Sequence, residues 1–237
     1  MDIFQKLVLT NLGISISDDQ LEKFILFEEL LIKWNNQYNL TSIIDPEEIR
    51  IKHFYDSLTC LTCIPINENF SLIDVGTGAG FPGIPLTIIN PNIQLTLVES
   101  IRKKADFCRI IISELGIKNS RVITSRAETI GQDLTHREQY DWAVARAVAP
   151  LPILVEYLLP LVHIGGSVLA QKGFALDSEI NKSKKAILIL GGSIKKKTPI
   201  SLPENMGKRT LIHIKKNKNT PSTYPRRPGA PKKNPII

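Results

Sequence analysis

The sequence predicts an α/β protein in which seven strands form a mostly parallel sheet with an antiparallel last strand, preceded by a helical cap. From residue 70 onward, short runs of aliphatic and β-branched residues alternate with helical stretches, which is typical of a parallel sheet covered on both faces. The last two apolar runs flank a short loop and predict an antiparallel hairpin that completes the sheet. The first 65 residues show helical spacing and no strand pattern.

Residues 1–65 are assigned to the cap, with two predicted helices. Residues 17–20, Ser-Asp-Asp-Gln, have the form of a capping box at a helix N-terminus. The apolar stripe of this helix consists of Phe24, Phe27, Leu31, Trp34 and Tyr38. Asp45 and Pro46 open the second helix as N-cap and first-turn residue, and we expect it to run to about Thr62.

Residues 66–218 are assigned to the sheet domain. Its parallel strands are predicted in the runs FSLIDV, QLTLVES, RVITSRA, YDWAVARA and SVLAQKG, and the hairpin in ISLPENMGKRTLIHIKK. Helices are predicted over about 83–90, 101–115, 150–163 and 176–190. Residues 219–237 are Pro-rich, basic and too poor in apolar side chains to fold alone, so they are assigned to a separate C-terminal tail.

Length and composition are those of a globular protein. With 237 residues, of which 43% are hydrophobic and 22% charged, the chain can bury a self-sufficient core. No apolar run approaches the roughly 20 residues that span a bilayer, and the N-terminus does not have the pattern of a signal peptide. Three cysteines do not make a disulfide scaffold. We therefore expect a cytoplasmic protein with no membrane partner, and we favour a monomer.

Charge is distributed unevenly along the chain. Residues 1–171 contain 14 Lys and Arg against 20 Asp and Glu, whereas residues 172–237 contain 16 against 3. A cationic end on a mildly acidic body predicts a polyanionic partner, most often nucleic acid, and a solvated, partly disordered tail is the alternative. The candidate phosphate-binding residues are Lys172, Lys195, Lys196, Lys197, Lys208, Arg209, Lys215, Lys216, Arg226, Arg227, Lys232 and Lys233.

A glycine-rich loop follows the first predicted strand in the stretch LIDVGTGAGFPGIPL, residues 72–86. Glycine permits positive φ angles, and the missing Cβ lets a ligand lie against the backbone. The glycines concerned are Gly76, Gly78 and Gly80. Phe81 and Pro82 then lead into the next helix, at the carboxyl end of the strand, where open α/β sheets bind ligands. A tight turn without a ligand is the alternative.

Two carboxylates stand close to this loop along the predicted sheet. Asp74 precedes the first glycine, where it would repel a pyrophosphate but suits a ligand with an amino or sulfonium group. Glu99 ends the second strand and can accept both hydroxyls of a ribose, with capping of the next helix as the alternative. The G-x-G-x-G spacing is one residue shorter than that of a dinucleotide loop. The combination resembles the S-adenosylmethionine site of Rossmann-like methyltransferases.

Residues after the third and fourth strands extend the predicted site. Such enzymes hold adenine after the third strand, so Ala127 and Glu128 are candidate cofactor-binding residues. Arg146 follows the fourth strand and would lie beside the methyl donor, with a surface ion pair as the alternative. His53 and Asp56 stand at positions i and i+3 of the second cap helix and are candidates to face the cleft, although a structural partner for His53 is the commoner case.

Longer motifs resemble the RsmG (formerly GidB) family over nearly the whole chain. The matching segments are NLTS, IKHFYDSL, DVGTGAGFPGIPL, ES-x-x-KKADF, SRAE, ARAVAPL and YPRRPGAPKKNPI. This family consists of bacterial 16S ribosomal RNA methyltransferases that modify N7 of guanine 527, in the 530 loop of the small subunit. The resemblance therefore implies a Rossmann-like class I methyltransferase fold, S-adenosylmethionine as cofactor, and 16S rRNA, the 30S subunit or its precursor as partner.

The implied chemistry makes modest demands on side chains. Guanine N7 keeps an unprotonated lone pair at neutral pH, so its methylation needs neither a strong base nor a covalent nucleophile. Holding nucleophile, methyl group and sulfur in line can supply about 7–11 kcal/mol. We therefore assign no general base and name Arg146 as the catalytic residue, in the sense that it positions the base or the donor carboxylate.

Other functions are weighed against this one. Cys60 and Cys63 are interpreted as small core residues and no metal site is predicted, because zinc needs four ligands and no second pair stands at suitable spacing. An NAD-dependent oxidoreductase is disfavoured by the loop spacing, the closing hairpin and the lack of a substrate domain. A non-catalytic RNA-binding or assembly protein of the same fold is disfavoured by the intact set of loop glycines and acids.

Overall fold

The computed structural model describes residues 2–173 and 177–237. Within them, the strands are β1 Phe70–Val75, β2 Ile93–Glu99, β3 Ser120–Thr124, β4 Tyr140–Arg146, β5 Val162–Lys172, β6 Gly192–Ser201 and β7 Lys208–Lys216. They form one seven-stranded sheet in the order β3-β2-β1-β4-β5-β7-β6. The first five strands are parallel, and β7 runs antiparallel between β5 and β6. The predicted fold class is confirmed.

Helices precede the sheet and cover both of its faces. They are α1 Asp2–Leu12, α2 Asp18–Tyr38, α3 Pro46–Ile49, α4 Asp56–Leu58, α5 Gly83–Ile89, α6 Arg102–Glu114, α7 Ala127–Gln132, α8 Leu151–Leu158, α9 Asp177–Ile189 and α10 Ala230–Lys233. The four predicted sheet-domain helices match α5, α6, α8 and α9. The prediction for 150–163 is too long, because residues 159–161 form a 3₁₀ turn and β5 already begins at Val162. The predicted start at residue 176 lies outside the described residues.

The cap helices begin where the sequence predicts. Ser17 and Gln20 form the capping box, since the Gln20 backbone N–H donates to the Ser17 Oγ at 3.3 Å and the Ser17 N–H donates to the Gln20 Oε1 at 2.9 Å. Asp45 caps the second helix by accepting the Glu48 N–H at 3.0 Å. This second helix is continuous to Thr62 but changes type, with a π-helical turn over Arg50–Tyr55 between α3 and α4. Such π turns are frequent at functional sites.

Cap and sheet share one hydrophobic core. The rings of Phe24 and Phe27 pack against Phe54 at centroid distances of 5.2 and 5.3 Å, and Phe27 stacks on Phe81 at 5.2 Å. Phe81 directly follows the glycine loop, so this packing fixes the cap above the carboxyl ends of the strands. A second core lies between the opposite face of the sheet and helices α8 and α9. The division of the chain at residues 65/66 and 218/219 stays a prediction.

The described helices include none that combines the length and the apolar character needed to cross a membrane.

Candidate active site

Two neighbouring cavities open at the carboxyl ends of the parallel strands. The larger cavity, of about 360 Å³, lies between the cap and the ends of β1, β4 and β5. The smaller cavity, of about 140 Å³, lies between β2, α7 and α8. Gly76 lines both cavities, so the glycine loop forms the partition between them. The structure thus brings together the predicted residues that follow four different strands and two from the cap.

The glycines of this loop lack a Cβ for different reasons at different positions. An added Cβ at Gly80 would meet the Ile84 Cδ1 at 2.4 Å, and one at Gly76 would meet the Val148 Cγ2 at 2.7 Å. At Gly78, where φ is +62°, an added Cβ would meet no atom within 4 Å from the described residues beyond its two chain neighbours, and this residue lines the larger cavity. Protein packing therefore explains Gly76 and Gly80, whereas the open space beside Gly78 is available to a ligand.

Asp74 lies beneath the loop and holds its shape. Its Oδ2 accepts the Thr77 hydroxyl at 2.7 Å and the Gly83 N–H at 2.8 Å. The side chain is fully buried, its Oδ1 has no hydrogen-bond partner within the described residues, and burial raises the pKa of the carboxyl to about 6. Asp74 shapes the cavity wall from behind, and a direct ligand contact stays a prediction.

Glu99 links the second strand to the loop. Its Oε2 accepts the Gly78 N–H at 2.9 Å, and its Oε1 accepts the Ile101 N–H at 2.8 Å, just before α6 begins. The Ile101 N–H belongs to the residue before the helix, and α6 has no side-chain cap hydrogen bond, so the capping role considered as an alternative is wrong. With the longer contact from the Ser100 hydroxyl to Oε1 at 3.4 Å, these hydrogen bonds use three of the roughly four lone-pair sites of an ionised carboxylate.

Arg146 stands at the centre of the larger cavity. Its Nη1 lies 3.3 Å from the Asp56 Oδ2, its Nη2 donates to the His53 Nδ1 at 3.2 Å, and the guanidinium lies 5.0 Å above the Phe81 ring. Only 12% of the Arg146 side chain is exposed. The surface ion pair considered as an alternative is therefore wrong: Arg146 is clamped between cap and sheet, because the buried Asp56 balances its charge.

His53 is neutral in this arrangement. Arg146 can only donate, so the His53 Nδ1 accepts, and Nε2 carries the proton that is donated to the Thr41 Oγ1 at 2.9 Å. Burial and the adjacent Arg146 charge lower the pKa of the imidazole to about 3. The predicted structural partners exist, yet His53 also lines the larger cavity and stacks on Phe81 at 4.6 Å.

Sequence reasoning missed Gln171, which lines the larger cavity. It lies near the end of β5, and its Nε2 donates to the Asp56 Oδ1 at 2.7 Å. Asp56 also accepts Arg209 Nε at 3.0 Å, so the cap carboxylate gathers one amide and two guanidinium groups. A polar residue near the carboxyl end of a predicted core strand was the available signal. Thr41, in the NLTS segment, also lines this cavity.

The predicted cofactor residues of α7 border the smaller cavity. Ala127 and Glu128 line it together with Ser100 and Tyr157. Glu128 is 5% exposed, and its Oε1 accepts the backbone N–H of Gly229 from the C-terminal tail at 2.9 Å.

The predicted phosphate-binding cations fall into three groups. The exposed or partly exposed ones without an acidic partner in the described residues are Lys195, Lys196, Lys208, Lys215, Arg227, Lys232 and Lys233. Those paired with carboxylates are Lys172 with Glu179, Lys197 with Asp177, Arg209 with Asp56, and Arg226 with Glu156. The prediction for Lys216 is wrong, because its ammonium is buried and lies 3.1 Å from Glu138.

The cysteines line neither of the two cavities. Cys60 and Cys108 are buried, and burial raises the pKa of both thiols, whereas Cys63 is partly exposed. Among the residues that the structure describes, no group of three His, Cys, Asp or Glu side chains is arranged to hold a metal ion.

Comparisons with known proteins agree with this geometry. The family model described as rRNA small subunit methyltransferase G (GidB) matches residues 20–206. The proteins named ribosomal RNA small subunit methyltransferase G of Alkaliphilus metalliredigens and Desulfitobacterium hafniense are 47% identical over 225 residues and 42% identical over 236 residues. These alignments cover 95% and 100% of this chain, and 94% and 98% of the relatives.

Solved structures share the fold at low sequence identity. The ribosomal protein L11 methylase of Lactobacillus delbrueckii subsp. bulgaricus superposes with a TM-score of 0.54 at 15% identity, covering 70% of this chain and 79% of that one. TYW2 of M. jannaschii, solved in complex with AdoMet, superposes with a TM-score of 0.52 at 14% identity, covering 63% and 69%. At such identities these likenesses show the Rossmann-like methyltransferase fold alone.

Proposed function

Because the chain belongs to the family of rRNA small subunit methyltransferases G, we propose that it transfers a methyl group from S-adenosylmethionine to N7 of guanine 527 in 16S rRNA, in the bacterial cytoplasm. The observation that carries this proposal is the open backbone of Gly78. Among the described residues, none beyond its chain neighbours comes within 4 Å of an added Cβ, while its N–H is held by Glu99. A turn built in this way offers peptide groups and a carboxylate to a ligand with an amino acid and a ribose.

The residues proposed to hold S-adenosylmethionine surround the partition between the two cavities. They are Asp74, Gly76, Gly78, Gly80, Phe81, Glu99, Ala127, Glu128 and Arg146. When bound, the cofactor supplies an electrophilic methyl group on a sulfonium. The residues present fit it, because Glu99 retains a lone-pair site for a ribose hydroxyl and Gly78 leaves room against the backbone. Asp74 contributes by fixing the loop through Thr77 and Gly83.

The chain's own contribution to the reaction is orientation. Arg146 is fixed by Asp56, His53 and Phe81 and lines the larger cavity from this preset position. A group that is already ordered needs no reorganisation when the base arrives, and such preorganisation can supply much of the required rate. Neutral His53 adds no positive charge beside the incoming guanine, and no proton has to be removed from N7.

Substrate binding is proposed to depend on the exposed cations of residues 195–233. These side chains lie on the hairpin strands and in the tail, and their exposed positive charge supports binding to the phosphates of the rRNA backbone.

The proposal is tested by methyl transfer from labelled S-adenosylmethionine to purified 30S subunits lacking the modification, followed by chemical cleavage at 7-methylguanine. We expect a single cleavage at guanine 527. Arg146→Gln should label the subunit at least about a hundredfold more slowly, as for loss of a preset group at a reacting centre. Labelling at another base would refute the proposed target, and NAD binding in place of S-adenosylmethionine would favour an oxidoreductase. Tight 30S binding without label transfer would favour a non-catalytic assembly protein.

A further inference from the structure

The C-terminal tail does not leave the body of the protein after β7. It turns back across α7 and α8, where the guanidinium of Arg137 donates to the carbonyl oxygens of Thr220 at 2.7 Å and Tyr224 at 2.6 Å. The same guanidinium also donates to the carbonyl of Gly131 in α7 at 2.9 Å. Arg137 therefore joins the tail to the helix that carries the predicted adenine-side residues.

An ion pair with a buried carboxylate anchors the middle of the tail. Glu156 on α8 is completely buried, and both of its oxygens bind Arg226: the Nε donates to Oε1 at 2.9 Å and the Nη2 to Oε2 at 2.7 Å. The Arg226 backbone N–H donates to the same Oε1 at 2.9 Å. A carboxylate in this position needs such a partner, because an unpaired buried charge is strongly unfavourable.

Beyond this anchor the tail touches the wall of the smaller cavity. The Gly229 N–H donates to Glu128, whose side chain lines that cavity. Pro225 lies so close to α7 that a Cβ added to Gly131 would be 2.6 Å from its Cγ. The tail itself does not line the cavity, and it acts on the cavity through Glu128 and α7.

We propose that the tail is a structural part of the donor side of the site, and that Arg226 is a positioning residue that holds Glu128 and α7 in place for S-adenosylmethionine. This inference rests on the proposed function, because it presumes that the smaller cavity takes part of that cofactor. It changes the role of one predicted RNA-binding residue. Arg226 forms an ion pair with Glu156, whereas its neighbour Arg227 is exposed and has no acidic partner in the described residues.

The test is calorimetric titration of the purified full-length protein with S-adenosylmethionine, in the absence of RNA. We expect Arg226→Gln and Glu156→Gln each to weaken binding about tenfold, the usual size of a coupling between two parts of a site. The double variant should be no weaker than the weaker single variant, because both substitutions break the same ion pair. In steady-state assays the KM for the donor should rise while the KM for 30S subunits stays unchanged.

Controls separate this effect from general loosening of the fold. Lys23→Gln removes a cation from a pair with Asp19 on α2, which lines neither of the two cavities, and should leave donor binding unchanged. Gly131→Ala changes neither member of the ion pair but pushes Pro225 away from α7, so it should also weaken donor binding. It keeps the proposal testable if Arg226→Gln does not fold.

The outcomes are distinguishable from a failure of the proposed function. If the wild-type protein does not bind S-adenosylmethionine, the proposed cofactor is wrong. If the wild type binds and Gly131→Ala, together with every folded variant of the ion pair, binds within twofold of it, the tail has no role in the donor site.

Discussion

At the scale of single residues, Asp56 holds the site together. It is 1% exposed, and it accepts hydrogen bonds from Arg146, Arg209 and Gln171, which belong to β4, β7 and β5. A buried carboxylate in such a position is stable only while its partners remain. The Asp56 side chain of the cap therefore connects residues at the ends of three strands.

Asp56→Asn tests this arrangement, because it keeps the shape but replaces the oxygen shared by two arginines with a donor. We expect the free energy of unfolding to fall by about 3–5 kcal/mol, with a large loss of methyl transfer as Arg146 is released. Denaturant unfolding and single-turnover kinetics measure the two effects. Asp106→Asn, in an exposed pair, is the control and should cost less than about 1 kcal/mol. Equal losses in both variants would mean that Asp56 is an ordinary surface partner.

The buried carboxyl of Asp74 makes the stability of the protein depend on pH. Burial raises the pKa of its carboxyl to about 6 in the folded protein, from an ordinary 3.8. A carboxyl whose pKa is raised by folding binds its proton more tightly in the folded state, so the free energy of unfolding falls as pH rises from about 4 to about 6. The shift of about 2 pKa units corresponds to roughly 3 kcal/mol.

Asp74→Asn removes this titration. We expect the variant to gain stability relative to the wild type between pH 4 and pH 6, and the difference to stay constant above about pH 6.5. Urea unfolding of both proteins across this range measures it, because all other titrating groups cancel in the difference. Parallel curves for the two proteins would show that the Asp74 carboxyl titrates at its ordinary pKa.

At the scale of elements, the five-residue glycine loop contains glycines that pack against neighbouring side chains and one glycine that is open to a ligand. Gly80 and Gly76 are required by Ile84 and Val148, whereas no neighbour within the protein restricts Gly78. On the cap side, the π-helical turn over Arg50–Tyr55 contains both kinds of residue, because Ile51 and Phe54 are buried in the core while Lys52 and His53 line the cavity.

Gly78→Ala is expected to fold and to lose the cofactor. Its positive φ of +62° costs an L residue about 1–2 kcal/mol, and the new methyl group occupies the space beside the loop. Gly116→Ala is a closely matched control, because this residue has a φ of +64° and equally open surroundings at the end of α6. Both variants should lose similar stability in thermal unfolding, and only Gly78→Ala should lose affinity for S-adenosylmethionine. Unchanged affinity in Gly78→Ala would remove the loop from the binding site.

Elements with local signals could be predicted, and those decided by distant contacts could not. Ser17 and Asp45 cap helices through residues three positions away, so their roles are visible in the sequence. Helix α7 spans only six residues, too few for a periodic signal. Lys216 carries no local mark of its role, and the position of Gln171 near a strand end marks it only as a candidate, because Glu138 and Asp56 reach these residues only in the folded chain.

At the scale of the whole molecule, only part of the positive charge of the basic C-terminal end lies free on the surface. Several cations of the basic end neutralise buried carboxylates, as Arg226 does for Glu156 and Arg209 for Asp56. The net positive charge that remains for rRNA is therefore carried by fewer side chains than the sequence suggests.

The dependence of 30S binding on salt measures how many remain. Replacing Lys195, Lys196, Lys208, Arg227, Lys232 and Lys233 together by Gln should flatten the slope of log affinity against log salt by about 0.7 for each phosphate that these side chains neutralise. Binding assays between about 50 and 200 mM salt, in the presence and absence of donor, provide the measurement, and donor affinity should not change. A slope identical to that of the wild type would place the rRNA on another face.

The strand order has a consequence for folding during synthesis on the ribosome. Strand β6 pairs only with β7, and β7 also covers the open edge of β5, yet β7 is the last strand to be synthesised. Until Lys216 has emerged, β5 presents unpaired peptide groups to its surroundings, an edge that invites association with other nascent chains. Translation that halts before this point would therefore release an aggregation-prone fragment rather than an enzyme of reduced activity.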